Sequence, residues 1–63
     1  MMSKFRVGDK VQVICEHPTY GWGAVKHGDV GFVSRVEPRT GFGRCYRVNF
    51  LLQEGWIGAE KEF

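Results

Sequence analysis

Cys15, His17, His27 and Cys45 supply the thiols and imidazoles from which a two-cysteine, two-histidine metal site is built. Structural zinc sites bring such ligands in closely spaced pairs along the chain. Here one Cys-x-His pair is followed by a lone histidine and then a lone cysteine, a spacing that specifies no site. Both cysteines sit in apolar runs, "VQVICE" and "GRCYRV", where a free thiol packs as a small hydrophobe. They are also too few to staple a small secreted domain with disulfides.

Catalytic chemistry is equally unsupported. A nucleophile needs an adjacent base and a third group that orients it. Ser3 falls in the N-terminal segment and Ser34 in a strand, and neither has a patterned His or acid nearby. Glu37, Glu54, Glu60 and Glu62 have no partner that spacing identifies. The glycines of "GWGAVKHG" open a loop and a strand rather than a helix, so they do not form a phosphate-binding fingerprint. No catalytic residue, metal ligand or cofactor is assigned, and the chain reads as a non-enzyme.

What remains is recognition chemistry. Tyr20 and Trp22 stand in the glycine-bounded loop "HPTYGWGAVKHG", and aromatic rings on such a loop line the grooves that take extended or proline-rich segments. In a chain this short the same Trp22 ring also serves as a lid on the core. Lys26 and His27 follow on the loop and suit an acidic group. Trp56 lies in "EGWIG", where neighbouring strand residues face opposite sides. If Ile57 points inward, Trp56 points outward and is a hot-spot candidate; the opposite assignment makes it core. The partner-binding set is therefore Tyr20, Trp22, Lys26, His27 and Trp56. A second set, Lys26, Arg39, Phe42 and Arg44, interleaves cations with a ring as a nucleic-acid surface does.

These side chains need elements to hold them. "FRVGDKVQVIC" alternates, with Phe5, Val7, Val11, Val13 and Cys15 on one parity and a Gly8-Asp9 interruption, as in a half-buried strand with a turn or bulge. "DVGFVSRVE" predicts a second strand with Val30, Phe32 and Val36 on one parity. "PRTGFG" makes a hairpin connection. "RCYRVNFLL" is a third strand with Tyr46, Val48 and Phe50 against Arg47 and Asn49. "WIGA" is long enough for a short fourth strand, and "EKEF" closes with a single helical turn and a last strand residue. No internal repeat, linker or low-complexity segment is evident.

The chain is one domain, 1–63, with two Trp, two Tyr and five Phe. So short a domain buries only about 60% of its unfolded surface, and most of those rings must hold the fold. Strands this short, joined by glycine-rich turns, bury a face best by closing on themselves. The expectation is an all-β, SH3-like barrel of about five short strands.

The segments "VGDKVQV", "HPTYGWGAVKHGDVGFVSRVE", "YRVNF" and "GWIGAEKEF" resemble the SH3-like repeats of the Mind bomb and Keep on Going ubiquitin ligases. The most specific part is "PTYGWGAVKHGDVG", residues 18–31. The resemblance implies an SH3-like fold and recognition of protein segments. Family repeats stand in tandem inside large ligases, whereas this chain is a single module, so ligase activity is not carried over. A free-standing copy fits an adaptor or inhibitor, such as a small prokaryotic or viral protein acting on a host protein. "GDVGFVSRV" also resembles, more weakly, the KOW motif, which implies RNA, DNA or RNA polymerase as partner, and the layout is similar to an SH3-like photosystem subunit.

The net charge of +2 is low for a domain whose affinity rests on phosphate contacts. A protein partner is therefore the first expectation and nucleic acid the second. With no apolar run of signal or membrane-span length, the expectation is a cytoplasmic monomer or weak dimer.

Overall fold

The computed structural model describes residues 4–63. Its organising unit is a repeat hidden in the sequence: "RVGDKVQV", residues 6–13, and "KHGDVGFV", residues 26–33, fold alike. In each, the aspartate closes a turn on a basic residue. Asp9 Oδ2 accepts the Arg6 amide at 2.9 Å and Asp29 Oδ2 accepts the Lys26 amide at 2.9 Å. Gly8 and Gly28 take φ of 94° and 91°, a left-handed conformation glycine adopts without steric penalty. The amide of Gly8 donates to Val33 O and that of Gly28 to Val13 O, both at 2.8 Å. The two copies pair antiparallel about Val11 and Gly31.

That pairing joins β1 (Lys10–Gln12) to β2 (Val30–Val36). β3 (Cys45–Phe50) and β4 (Gln53–Ala59) continue a single antiparallel sheet in the order β1-β2-β3-β4, and a 3₁₀ turn, Glu60–Glu62, follows β4. The protein is all-β, with four strands where about five were expected. The missing element is at the C-terminus, where Phe63 follows the 3₁₀ turn outside any strand; β1 is also short, and Val7 is exposed rather than in the core. The single helical turn expected near the C-terminus is this 3₁₀ turn.

The second strand faces opposite to its expected parity. Gly31 and Val33 point inward, while Val30 and Phe32 point to solvent. The cause is crowding over Gly31, where an added Cβ would lie 2.6 Å from Asn49 O and 2.8 Å from Val48 Cγ1. A bulge between Val33 and Arg35 then resets the register and returns Val36 toward the core. The third strand alternates as expected, with Tyr46, Val48 and Phe50 buried.

Aromatic rings carry much of the core. Phe50, Trp56, Phe63, Tyr46 and Phe5 form a chain of edge-to-face contacts with centroid separations of 5.3 to 6.3 Å. Each such pair contributes about 0.5–1.5 kcal/mol beyond its area burial. The Tyr46 hydroxyl donates to Glu60 Oε2 at 2.6 Å and accepts the Lys4 amide at 3.1 Å, tying the N-terminal segment to the 3₁₀ turn.

This bond gives stability two pH limits. The Tyr46 hydroxyl is the main cause holding the Glu60 carboxyl below its ordinary value of 4.5, so its contribution is complete above that pH and lost as pH falls through the depressed value. Burial, then Glu60, pushes Tyr46 above 10.0, so its contribution is complete below pH 10 and lost as pH rises through the raised value. Tyr46→Phe is expected to lower stability by about 1.5–3 kcal/mol between those limits. It should also flatten both limbs of a plot of melting temperature against pH. Limbs as steep as wild type in the variant would assign the pH dependence elsewhere.

Candidate functional site

The long loop from Glu16 to Gly28 is fixed by two clasps. The first is Glu62, which is buried although it carries a carboxylate. Its Oε2 accepts both the Thr19 amide and, at 2.8 Å, the Thr19 hydroxyl, and its Oε1 accepts the Ala59 amide at 2.8 Å. Three donors aimed at one carboxylate replace the water it has lost. The second clasp is Trp56, whose indole Nε1 donates to Trp22 O at 2.9 Å while the Val25 amide donates to the same oxygen.

Trp56 is therefore a core residue, only 3% exposed, and not the outward-facing contact that its strand position allowed. Gly58 explains the orientation, because a Cβ there would meet the rings of Phe63 and Trp56 at 2.6 Å. The glycine leaves the space that two inward rings occupy. Trp22 is half-buried and packs against the core cluster, so the lid reading holds for much of its ring.

Tyr20 is the exposed ring of the loop, at 43%. It meets Phe42 edge-to-face at a centroid distance of 5.7 Å, which joins the long loop to the tip of the β2–β3 connection. Its hydroxyl lies 3.7 Å from Cys45 Sγ, and that contact is the first cause raising the phenol above its ordinary 10.0, so it stays neutral. Between the loop and β4 runs an open groove of about 250 Å³ lined by Tyr20, Gly21, Gly23, Arg47, Gln53, Gly55, Trp56 and Ile57. β4 is an edge strand of the sheet and contributes Gln53, Gly55, Trp56 and Ile57 to this lining.

Arg47 sits at the groove with its charge already engaged. Its Nε lies 3.0 Å from Glu37 Oε2 and its Nη1 donates to Gly55 O. Spacing alone did not single out Arg47, Gln53 or the buried Glu62; all three are brought in by strand pairing or by the closing turn.

Lys26 and His27 stand apart from the groove on the second Gly-Asp turn. Both are exposed. His27 Nδ1 donates to Cys15 O at 2.8 Å, which leaves Nε2 toward solvent. In the alternative set, Phe42 is 57% exposed and Arg39 is exposed, but Arg44 Nη1 donates to Glu37 O at 3.2 Å. Among the described residues, no hydrogen bond or ring contact joins Lys26 to that tip.

Both cysteines are free thiols, Cys45 buried and Cys15 half-buried, with burial and then Glu62 raising the pKa of Cys15. No three His, Cys, Asp or Glu side chains among the described residues gather as metal ligands would. The chain matches no known family, no curated protein and no solved structure.

Proposed function

We propose that this protein is a non-enzymatic protein-binding module, an adaptor or inhibitor, that takes an extended segment of a partner into the groove between Tyr20 and β4. The observation that carries this reading is a pre-set aromatic wall. Glu62 and Trp56 hold the loop from opposite ends of the 19–22 stretch, and Tyr20 is left exposed beside an edge strand. A rigid loop loses little entropy when a segment docks, so more of the contact energy appears as affinity. The fold is read as an SH3-like barrel. In support, the Ile14 amide just past β1 donates to Glu62 O beyond β4, linking the two ends of the sheet.

Tyr20 is the working contact of this site, with the exposed part of Trp22 beside it. Panning a displayed random-peptide library against the wild type is expected to select binders, and Tyr20→Ala is expected to weaken them about tenfold or more with an unchanged circular dichroism spectrum. Tyr20→Ala is a cleaner probe than Trp22→Ala, because Trp22 also packs on the core. Selected peptides that bind the variant equally well would remove Tyr20 from the site.

The second reading is an RNA- or DNA-binding barrel using Lys26, Arg39, Phe42 and Arg44, favoured by the exposed Phe42 ring on the same connection as the exposed Arg39. It predicts binding to a labelled oligonucleotide that falls steeply with added salt. Such binding, with no peptide selected, would replace the first reading.

A further inference from the structure

We infer that the protein self-associates as a two-fold dimer through the outer face of β2 and the tip of the β3–β4 hairpin. Leu51 and Leu52 form that tip and are 98% and 79% exposed. Turn tips ordinarily carry Gly, Asn, Asp, Ser or Pro. Phe32 and Val30 add 55% and 42% exposed apolar surface on β2.

The fold itself does not call for apolar residues there. In the repeat about Val11 and Gly31, Val30 and Phe32 occupy the positions held by Lys10 and Gln12 in the other arm. The same backbone position thus accepts a polar side chain, and the apolar pair answers to something outside the monomer.

A second copy fits this surface because it is complementary to itself. Beside the Leu51–Leu52 knob lies a recess of about 170 Å³ lined by Ala24, Asp29, Val30, Phe50, Leu51 and Leu52, which shares no residue with the Tyr20 groove. An isologous contact needs knob and recess on the same patch, as here. The two ends of the patch also differ in charge. Lys10 pairs with Phe32 at one end and Asp29 precedes Val30 at the other, roughly 10 Å away at about 3.3 Å per residue. Among the described residues neither has an ion-pair partner. A two-fold axis across the patch brings Lys10 of one copy toward Asp29 of the next.

A stable interface covers about 800 Å² on each partner. Four apolar side chains with their rim fall short of that, so association is weak and depends on concentration. Sedimentation velocity of the wild type is expected to move from monomer at low micromolar concentration to dimer toward millimolar. Leu51→Lys with Leu52→Lys is expected to weaken the dimer at least about tenfold.

The safest variant for folding is Val30→Lys with Phe32→Gln, which installs the residues already carried at positions 10 and 12; it should be monomeric with an unchanged melting temperature. Lys10→Glu should weaken the dimer and reverse its salt dependence, because added salt then screens a repulsion with Asp29. A wild type that stays monomeric throughout, or a dimer of equal strength in the Lys-Gln variant, overturns the proposal. Peptide binding at Tyr20 is scored separately in all these variants and is expected to be unchanged.

Discussion

Glu62→Ala is expected to lower the stability of this protein by about 3–5 kcal/mol, which in a domain of this size shifts the melting temperature by at least about 12 °C. The carboxylate is 1% exposed and accepts from two amides and one hydroxyl. Alanine leaves those three donors facing a small void, and each buried donor without a partner costs about 1–3 kcal/mol.

Glu62→Gln separates hydrogen bonding from shape. One of its two terminal atoms becomes a donor and opposes either Ala59 or Thr19, so an intermediate loss is expected. Thermal unfolding gives the magnitude, and amide exchange at Thr19 and Ala59 gives the place. If those two amides exchange no faster in Glu62→Ala, Glu62 does not clasp the loop.

Trp56→Ala removes the centre of the aromatic core and is expected to cost about 3–5 kcal/mol, enough to leave a domain near this size limit largely unfolded. Trp56→Phe is the informative companion. It preserves ring contacts with Phe50 and Phe63 while deleting the indole donor to Trp22 O. In that variant Trp22 is the one remaining tryptophan of the chain's two, so fluorescence reports on the loop alone. Its emission is expected to shift to longer wavelength as the loop loosens, with a drop in peptide affinity. Unchanged Trp22 emission and affinity would mean that the loop holds its position without Trp56.

The two variants also bear on the nature of the site. Both act on the loop from beneath, through side chains that are almost wholly buried, Glu62 at 1% and Trp56 at 3% exposure. Loss of binding in Trp56→Phe together with retained folding would mark Trp56 as a positioning residue. This replaces the surface role its strand position first permitted.

Where alternation was unbroken, sequence and structure agree. β3 reads Cys-Tyr-Arg-Val-Asn-Phe, and its rings and valine face inward as a period of two requires. The same rule failed in β2 because it scored Phe32 as apolar and Gly31 as nothing. The side that must be empty proved stronger than the side that is hydrophobic. A glycine at which an added Cβ would lie 2.6 Å from a neighbouring carbonyl oxygen fixes which face turns inward, and Phe32 is carried to solvent by it. The repeat of basic-x-Gly-Asp is hidden from a hydropathy pattern for a related reason. Its two copies agree in turn chemistry while differing in the outward residues that dominate a hydropathy reading.

By itself the sequence determined an all-β domain, the turns at Gly-Asp and Gly-Phe-Gly, the inward face of β3, and a long aromatic loop with Tyr20 and Trp22 on it. These follow from local chemistry: period-two alternation, glycine at left-handed positions and aspartate closing its own turn. Tertiary structure alone decided that Trp56 is core, that Glu62 holds the loop, that Tyr20 meets Phe42, and that Val30, Phe32, Leu51 and Leu52 share one exposed surface. Each joins or groups positions separated along the chain, 43 residues apart in the case of Thr19 and Glu62. Their meeting depends on which strands pair and in what register, and no local pattern carries that information.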